Sequence, residues 1–301
     1  MTPTPRESPF EANGRWLKGG IHIHTTASDG GVTPADALAV YKRYGYDFLV
    51  FGDHWCITAA RDPAGNLLVI PGAEYDARFP QEPNGFHFMA VGMQEGHAEA
   101  LRSVRENPHA MAEALQGMCD YLVLAHPYWS ALTPETIAAL PAAAALEVYN
   151  HGCELEDELG YSMYVWDQLL SRGRRWDAVA VDDCHWRRDD HCGGWVMVKA
   201  KANTTADVIA ALKAGRFYST CGPEIHEVQF LRPRRLRVRT SPARAILFRS
   251  NGALGNGRHA SAGGTITEAE HELPDRSAFV RIEVTDAAGR KAWTNPFYFS
   301  D

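Results

Sequence analysis

Two histidines stand one residue apart near the start of the chain, in the segment GGIHIHTTASDGG at residues 19–31. Side chains two residues apart on an extended strand point to the same face, so His22 and His24 are expected to lie side by side. Two imidazoles in that position repel each other when both are protonated, whereas together they can bind a cation. With Asp29 close behind them, the segment favours a metal site.

Further residues of these types occur at the ends of short apolar runs, in YDFLVFGDH, LLVIPGAEY, YLVLAHPYW, AALEVYN and DAVAVDDCH. In one more run, FHFMAVG, His87 lies near the start. The candidate ligands are His22, His24, Asp29, His54, Glu74, His87, His126, Asp183 and His185. Imidazole and carboxylate together are typical ligands of zinc, manganese or iron. One catalytic zinc takes about three protein ligands. The set therefore predicts two or three divalent ions that share a carboxylate.

The apolar runs are expected to be strands buried on both faces of a parallel sheet. Segments typical of helices lie between several of them, at residues 33–45, 133–140, 154–172 and 204–215. Alternation of strands and helices predicts an α/β fold, and polar residues at strand ends predict a (β/α)7 TIM-like barrel with its site at the carboxyl ends. The Pro- and Gly-rich segment between Glu74 and His87 is too short for a helical crossover, so a hairpin is expected there and the barrel is distorted.

After residue 222 the pattern changes to alternating strands joined by Gly and Asp turns. We therefore expect a barrel domain at residues 15–222 and a small all-β, sandwich-like domain at residues 223–301. Three arginines alternate along one predicted strand of the second domain, at positions 235, 237 and 239. A solvated strand face is favoured over a stripe that binds a nucleic-acid polymer, because no aromatic residues are interleaved.

The 301-residue chain has a formal net charge of −7, which argues against general affinity for polyanions. No apolar run approaches the length of a membrane span, and the first residues lack the hydrophobic segment of a secretory signal. The six cysteines are scattered without a CxxC pair. A cytoplasmic protein with reduced cysteines and no membrane partner is therefore expected.

Two other interpretations of these residues remain open. A single buried histidine such as His126 is often a hydrogen-bonded core residue rather than a ligand. The segment CHWRRDDHC also brings Cys184, His185, His191 and Cys192 close together in sequence, which could give a separate structural zinc site.

In their order along the chain, HIHTTASDG, GDH, GAEY, the HF strand, AHP and DDCH resemble the PHP (polymerase and histidinol phosphatase) family over about residues 15–222. Members have a distorted seven-stranded β/α barrel with a two- or three-metal site. The segment GRFYSTCGPEI, together with the β-rich tail, looks like the branch that includes CehA/McbA-type hydrolases.

The resemblance implies roles for the candidate ligands. A first ion would be held by His22, His24, Glu74 and Asp183, a second by Glu74, His87 and His126, and a third by Asp29, His54 and His185. Asp29 stands where many members have histidine, so a weaker third site or a different metal is expected there. Asp53 and Asp182 would orient ligands, although Asp182 could also compete as one.

The predicted activity is that of a metal-dependent phosphoesterase, in which a metal-bridging hydroxide at Glu74 attacks a small phosphate ester, either a phosphorylated metabolite or a nucleotide. Asp183 or His185 would assist proton transfer to the leaving group. Arg187, Arg216 and Asn150 are the candidate substrate-binding residues. Trp55, Tyr128 and Trp129 are available for stacking on a ring.

Two other functions remain as alternatives. The same ions could hydrolyse a carboxylic ester or a carbamate, as the resemblance to the CehA/McbA branch allows. The domain could also be a non-catalytic scaffold whose metals support a binding surface, although the full set of ligands argues against this.

Overall fold

The computed structural model describes residues 8–93, 98–141 and 143–299. The first two-thirds of the chain contains both strands and helices, with four strands in succession after the first helix. The strands there are β1 Arg15–Ile21, β2 Phe48–Val50, β3 Leu68–Ile70, β4 Gly72–Ala77, β5 Phe86–Val91, β6 Tyr121–Leu124, β7 Ala145–Asn150, β8 Asp177–Val181, β9 Trp195–Ala200 and β10 Phe217–Thr220. The helices are α1 Pro34–Arg43, α2 Ala98–Arg102, α3 Pro108–Met118, α4 Pro134–Ala138, α5 His151–Asp157, α6 Met163–Ser171 and α7 Thr205–Lys213.

The rest of the described chain contains strands and no helix. They are β11 Ile225–Arg232, β12 Arg235–Ala243, β13 Ala245–Arg249, β14 Asn256–His259, β15 Ile266–Glu272, β16 Phe279–Thr285, β17 Lys291–Thr294 and β18 Phe297–Tyr298. The predicted mixed α/β fold is confirmed. Among the described residues, no helix has the length and apolar character needed to span a bilayer.

The strands form three sheets rather than one closed barrel of hydrogen-bonded neighbours. The largest has ten strands and runs β14-β13-β16-β17-β10-β9-β1-β2-β3, with β18 paired to β16. A second sheet runs β4-β5-β6-β7-β8, and a third runs β11-β12-β15. Because β10 pairs with β17, the largest sheet continues without a break across residue 222.

The two larger sheets enclose a common apolar core. Ile21 and Val50 of one sheet belong to the same buried cluster as Val123 and Val179 of the other. Isolated bridges also join the sheets at the carboxyl ends of β1 and β2, between residues 23 and 184 and between residues 54 and 74. The ends of strands that lie far apart in sequence therefore meet on one side of the core.

Three helices, α1, α4 and α7, begin where the sequence predicts them, whereas α2 and α3 were not predicted. The side chains of Thr33, Thr133 and Thr204 each accept a hydrogen bond from a backbone amide in the first turn of α1, α4 and α7. This capping satisfies donors that would otherwise lack a partner. The predicted helix at 154–172 is instead two helices, α5 and α6, because Glu158 adopts a left-handed conformation with φ of 62° and ends α5.

The predicted hairpin between Glu74 and His87 is confirmed, because β4 and β5 are antiparallel neighbours. The predicted strand through His22 and His24 is wrong in its extent. Strand β1 ends at Ile21, and His22 has a positive φ of 78°. His126 and Asp183 also have positive φ, at 25° and 51°. Such backbone strain in residues other than glycine is concentrated at functional sites.

The alternating arginines of β12 face acidic residues on the neighbouring strand. Arg237 and Arg239 lie opposite Glu270 and Glu268 in the register of β12 and β15. Arg235 donates to the Glu270 carboxylate over 2.9 Å. The positive charge of this face is thus balanced within its own sheet, which supports the prediction of a solvated strand face.

Candidate metal centre

Four side-chain atoms from three different parts of the chain converge on one point. His22 Nε2 lies 3.1 Å from His24 Nε2, 3.3 Å from Glu74 Oε2 and 3.2 Å from Asp183 Oδ1. His24 Nε2 lies 3.4 Å from Glu74 Oε2 and 3.0 Å from Asp183 Oδ1. A tetrahedron whose corners lie about 2.05 Å from its centre has edges of about 3.3 Å, so these spacings suit four ligands of one ion.

The other carboxylate oxygen of Glu74 faces a second group. Its Oε1 lies 2.9 Å from His87 Nδ1 and 3.3 Å from His126 Nε2. His126 is held in place by a contact of 3.0 Å between its Nδ1 and Ser130 Oγ. Glu74 therefore stands between two groups, with one oxygen directed to each.

A third group lies nearer the surface. His185 Nε2 and His54 Nε2 lie 3.3 Å and 3.7 Å from Asp29 Oδ2, and His24 Nδ1 lies 3.4 Å from Asp29 Oδ1. The Asp29 side chain is 42% exposed, whereas that of Glu74 is 2% exposed. All nine predicted ligands belong to this single cluster.

Two buried atoms of the cluster lack the partner that a metal ion would supply. His24 Nδ1 and Asp183 Oδ1 are inaccessible to solvent and form no hydrogen bond within the described residues. Buried polar atoms normally have a hydrogen-bond partner, so two such atoms without one at the same site indicate that a ligand binds there. Three sets of these side chains are arranged so that each could hold an ion: His22, His24 and Glu74; Glu74, His87 and His126; and His24, Asp29, His54 and His185. The residues present fit divalent ions.

The charges of the cluster support the same assignment. Burial raises the pKa of Glu74, but His22 and His87 outweigh that effect and hold the pKa well below its usual range. Burial lowers the pKa of His24, whereas Asp183 and Asp29 raise it, with a net result of about 9. Anionic carboxylates thus attract positive charge to the buried histidines, and a divalent cation can take the place of those protons.

A second layer of acidic residues orients the ligands. Glu147 Oε1 lies 2.7 Å from His22 Nδ1, and Glu147 Oε2 accepts a hydrogen bond of 2.7 Å from the backbone amide of His126. Asp53 accepts hydrogen bonds from the amide and hydroxyl of Thr25, at 2.7 Å and 2.8 Å, and from Ser28 Oγ at 2.8 Å. These contacts fix the loop that carries Asp29, in the orienting role predicted for Asp53.

Asp182 is also an orienting residue rather than a competing ligand. Its carboxylate accepts a hydrogen bond of 2.6 Å from the Tyr41 hydroxyl and hydrogen bonds from the backbone amides of residues 192–194. Asp190, which sequence reasoning missed, accepts from the amides of His185 and Trp186 over 3.0 Å and 3.1 Å. Asp190 lies in an irregular loop, where no strand or helix periodicity could have indicated its role.

The predicted substrate residues fall in three different places. Arg187 lines a cavity of about 300 Å³ that opens onto the cluster. Asn150 is buried beneath the cluster, where its amide donates to Glu147 Oε2 and Asp183 Oδ2 over 2.9 Å and 3.0 Å. The structure does not bring Arg216 to the cluster, since it precedes β10 at the opposite end of the sheet and lines another cavity.

The four residues considered for a structural zinc site do not form one. Within the described residues, no group of potential metal ligands contains a cysteine. Cys184 Sγ contacts the Tyr41 hydroxyl at 3.3 Å, and His191 stacks on Trp186 with ring centroids 5.1 Å apart. His185 instead joins Asp29 in the third group.

Comparison with solved structures shows a related fold. A two-domain protein from Bacteroides vulgatus, which contains a predicted PHP-like metal-dependent phosphoesterase, is 15% identical over 95% of both chains with a TM-score of 0.50. A candidate metal-dependent phosphoesterase from Bifidobacterium adolescentis is 14% identical, with a TM-score of 0.43 over 57% of this chain and 89% of its own. An amidohydrolase from Chromobacterium violaceum with bound sulfate is 14% identical, with a TM-score of 0.40 and the same coverage. No protein-family model and no curated protein matches the sequence.

Proposed function

We propose that this protein is a metal-dependent phosphoesterase of the PHP type that hydrolyses a small phosphate monoester. The observation that carries the proposal is the position of Glu74 between two groups of histidines, with Oε2 3.3 Å from His22 Nε2 and Oε1 2.9 Å from His87 Nδ1. A carboxylate placed in this way can be shared by two adjacent ions. Sites with adjacent ions are typical of enzymes that transfer or hydrolyse phosphate groups.

The cluster would hold two or three divalent ions, of zinc, manganese or iron. Such ions lower the pKa of water and neutralise charge that develops on the oxygens of a phosphate. The inner ions would be held by His22, His24, Glu74 and Asp183 and by Glu74, His87 and His126, and the outer ion by Asp29, His54 and His185. The greater exposure of the outer group supports a third ion that is bound less tightly.

The chain's own residues would bind and orient the substrate and move a proton. In the proposed reaction the oxygen of water bonds to phosphorus, the P–O bond to the alcohol breaks, and the alcohol takes up a proton. Glu74, Asp183 and His185 are the proposed catalytic residues. His185 suits delivery of the proton better than Asp183, because its side chain is 24% exposed and that of Asp183 is 9%.

Arg187 is the proposed contact for the phosphate of the substrate. It lines the cavity, and its side chain forms no hydrogen bond or ion pair within the described part of the chain. A guanidinium can bind two phosphate oxygens at once. Asn150 is proposed as a positioning residue, because both of its amide contacts are made to Glu147 and Asp183.

We also propose an architecture and a cellular location for this protein. The shared apolar core and the two bridges at residues 23–184 and 54–74 support a distorted barrel built from the two larger sheets. A division into residues 15–222 and 223–301, a place in the CehA/McbA-like branch and a cytoplasmic location are part of the same proposal. The change to strands alone after α7 supports the division.

The test is metal-dependent phosphate release by purified protein. The protein is stripped with a chelator, reloaded with Mn²⁺, Zn²⁺ or Fe²⁺, and assayed with p-nitrophenyl phosphate while bound metal is measured by elemental analysis. We expect release only from the loaded protein and a loss of at least about 100-fold in Glu74→Gln. Glu99→Gln is the matched control, since the Glu99 side chain is 95% exposed.

Two outcomes would overturn the proposal. Faster turnover of an aryl acetate than of the phosphate ester would favour a carboxylic ester or carbamate hydrolase. Undiminished phosphate release by Glu74→Gln would show that hydrolysis does not require the Glu74 carboxylate.

A further inference from the structure

Three aromatic residues, Trp55, Tyr128 and Trp129, lie within three residues after a candidate ligand in the sequence, and the structure distinguishes between them. Trp55 is held on several sides, because its Nε1 donates to Asp76 over 2.6 Å and the guanidinium groups of Arg102 and Arg105 lie 5.2 Å and 5.3 Å from its ring centroid. The Trp55 ring also packs edge-on against Tyr75 at 5.1 Å. Trp55 is therefore a packing residue.

Trp129 is the aromatic residue that faces the cavity. Among the described residues that line this cavity, it is the only one with an indole or phenyl ring. Its ring stands edge-on to two candidate ligands, with centroid distances of 5.0 Å to His126 and 6.2 Å to His87. Trp129 is nevertheless 41% exposed. Packing against the histidines thus leaves a large part of this residue accessible.

The backbone around Trp129 is fixed by a tight turn. The amides of Ser130, Ala131 and Leu132 donate to the carbonyls of residues 126, 128 and 127, at distances of 3.0, 2.9 and 2.9 Å. Ser130 also contacts His126 Nδ1. An indole on a rigid turn is ordered before a ligand arrives, which reduces the entropy lost when a ring packs against it.

Besides this aromatic ring, the cavity has a positively charged residue and a small volume. Arg187 provides a cation, while Arg188 is already engaged, since it donates to the Leu155 carbonyl over 2.8 Å. At about 300 Å³ the cavity lies at the lower end of the range for ligand sites. A phosphate together with one planar ring suits this combination of an anion site, an aromatic wall and limited volume.

We propose that Trp129 is a specificity-determining residue and that the substrate is a phosphate monoester whose alcohol carries a planar aromatic or heteroaromatic ring. This inference rests on the proposed function and names the substrate class of the same site. The ring of the leaving alcohol packs on the indole of Trp129 while the phosphate lies at the cluster. Stacking on an aromatic side chain is expected to contribute roughly 10- to 100-fold in affinity.

The test compares a probe that has a ring with one that lacks it, on the metal-loaded full-length protein. Phenylphosphonate and methylphosphonate have no ester bond to hydrolyse, so calorimetry can measure their binding without turnover. We expect phenylphosphonate to bind roughly 10- to 100-fold more tightly than methylphosphonate. Trp129→Ala should abolish the preference and Trp129→Phe should retain most of it. Tyr128→Ala is the control, because Tyr128 is exposed but does not line the cavity.

Kinetics with phenyl phosphate and methyl phosphate give a second measure of the same preference. In Trp129→Ala, kcat/KM for phenyl phosphate should fall roughly 10- to 100-fold, while that for methyl phosphate stays within about twofold. Equal losses for both esters, or equal binding of both phosphonates by the unaltered protein, would overturn the inference. If the unaltered protein releases no phosphate from either ester, the proposed function fails, and the phosphonate binding ratio alone decides the preference for a ring.

Discussion

Glu147 Oε1 lies 2.7 Å from His22 Nδ1, and both side chains are completely buried. A carboxylate can only accept a hydrogen bond, so His22 must donate from Nδ1 and direct Nε2 to Glu74 and Asp183. The other Glu147 oxygen accepts hydrogen bonds from the backbone amide of His126 and from the side-chain amide of Asn150. One buried carboxylate therefore orients residues of both inner groups without belonging to either.

Glu147→Gln should weaken metal binding by about 10- to 100-fold. The amide keeps the shape of the carboxylate but loses its charge and brings two N–H donors into a position where every neighbour already donates. The measurement is competition with a chromogenic chelator. Glu113→Gln, on the exposed face of α3, should bind metal like the unaltered protein. Unchanged affinity in Glu147→Gln would mean that the contact with His22 is only structural.

The outer group should release its ion before the two inner groups release theirs. The side chains of Asp29, His54 and His185 are 42%, 32% and 24% exposed, so water and chelator reach the outer group first. Asp29→Ala should lower bound metal by about one equivalent and leave the inner ions in place. Elemental analysis after stepwise dialysis against chelator measures both effects, with the fully exposed Asp275→Ala as control. Loss of all metal at once, or full retention in Asp29→Ala, would contradict this order.

Much of the candidate site could be predicted because its residue types are rare at the ends of buried strands. Nine imidazole and carboxyl groups were expected to meet there, and all nine do. The geometric reason for His22 and His24 was different from the expected one, because β1 ends at Ile21 and a turn with positive φ at His22 brings the two rings together. Glycine at position 52 is part of this geometry, since a Cβ there would lie 2.6 Å from His22 Cδ2.

The parts of the structure that depend on distant contacts could not be predicted. Helices with a threonine cap are determined locally, so their starts followed from the sequence. Between α5 and α6, an isolated bridge between Tyr149 and Tyr161 joins the connecting segment to β7, and this contact has no local signal in the sequence. The pairing of β10 with β17 across more than seventy residues has no local signal, and neither does the placement of Arg216 far from the cluster.

The stability of the protein in acid should depend on a buried ion network in the last strands. Burial raises the pKa of Glu283, but Arg281 and Lys291 outweigh that effect and lower the pKa to about 2, from an unfolded value of 4.5. A lowered folded pKa contributes stability above pH 4.5 and loses it as the pH falls towards 2. At neutral pH this shift corresponds to roughly 3 kcal/mol.

Glu283→Gln should therefore be less stable than the unaltered protein at pH 7, and the difference should shrink steadily as the pH is lowered from 5 to 3. Urea unfolding of the metal-free proteins at each pH gives the two free energies of unfolding. Glu268→Gln is the control, because its side chain is 52% exposed. A difference that is independent of pH would show that the charge of Glu283 contributes nothing.

Arg281 should be the strongest single link between the last strands and the α/β part of the fold. Its side chain is completely buried, its Nη2 and Nε lie 2.6 Å and 2.9 Å from Asp167 Oδ1 in α6, and its guanidinium lies 4.6 Å from the centroid of the Trp166 ring. Arg281→Met keeps the apolar stem but leaves Asp167 without its partner. Removing one member of a buried pair costs about 3–5 kcal/mol, and we expect the lower end because Asp167 is 36% exposed.

The double substitution Arg281→Met with Asp167→Leu separates charge from packing. It removes the unpaired carboxylate, so it should recover part of the stability that Arg281→Met loses, as seen by urea unfolding at neutral pH. Arg258→Met on the exposed strand β14 should change stability by less than about 0.5 kcal/mol. If Arg281→Met behaves like Arg258→Met, the contact between β16 and α6 does not depend on this ion pair, and the apolar core that contains Phe279 and Trp293 must hold the two parts together.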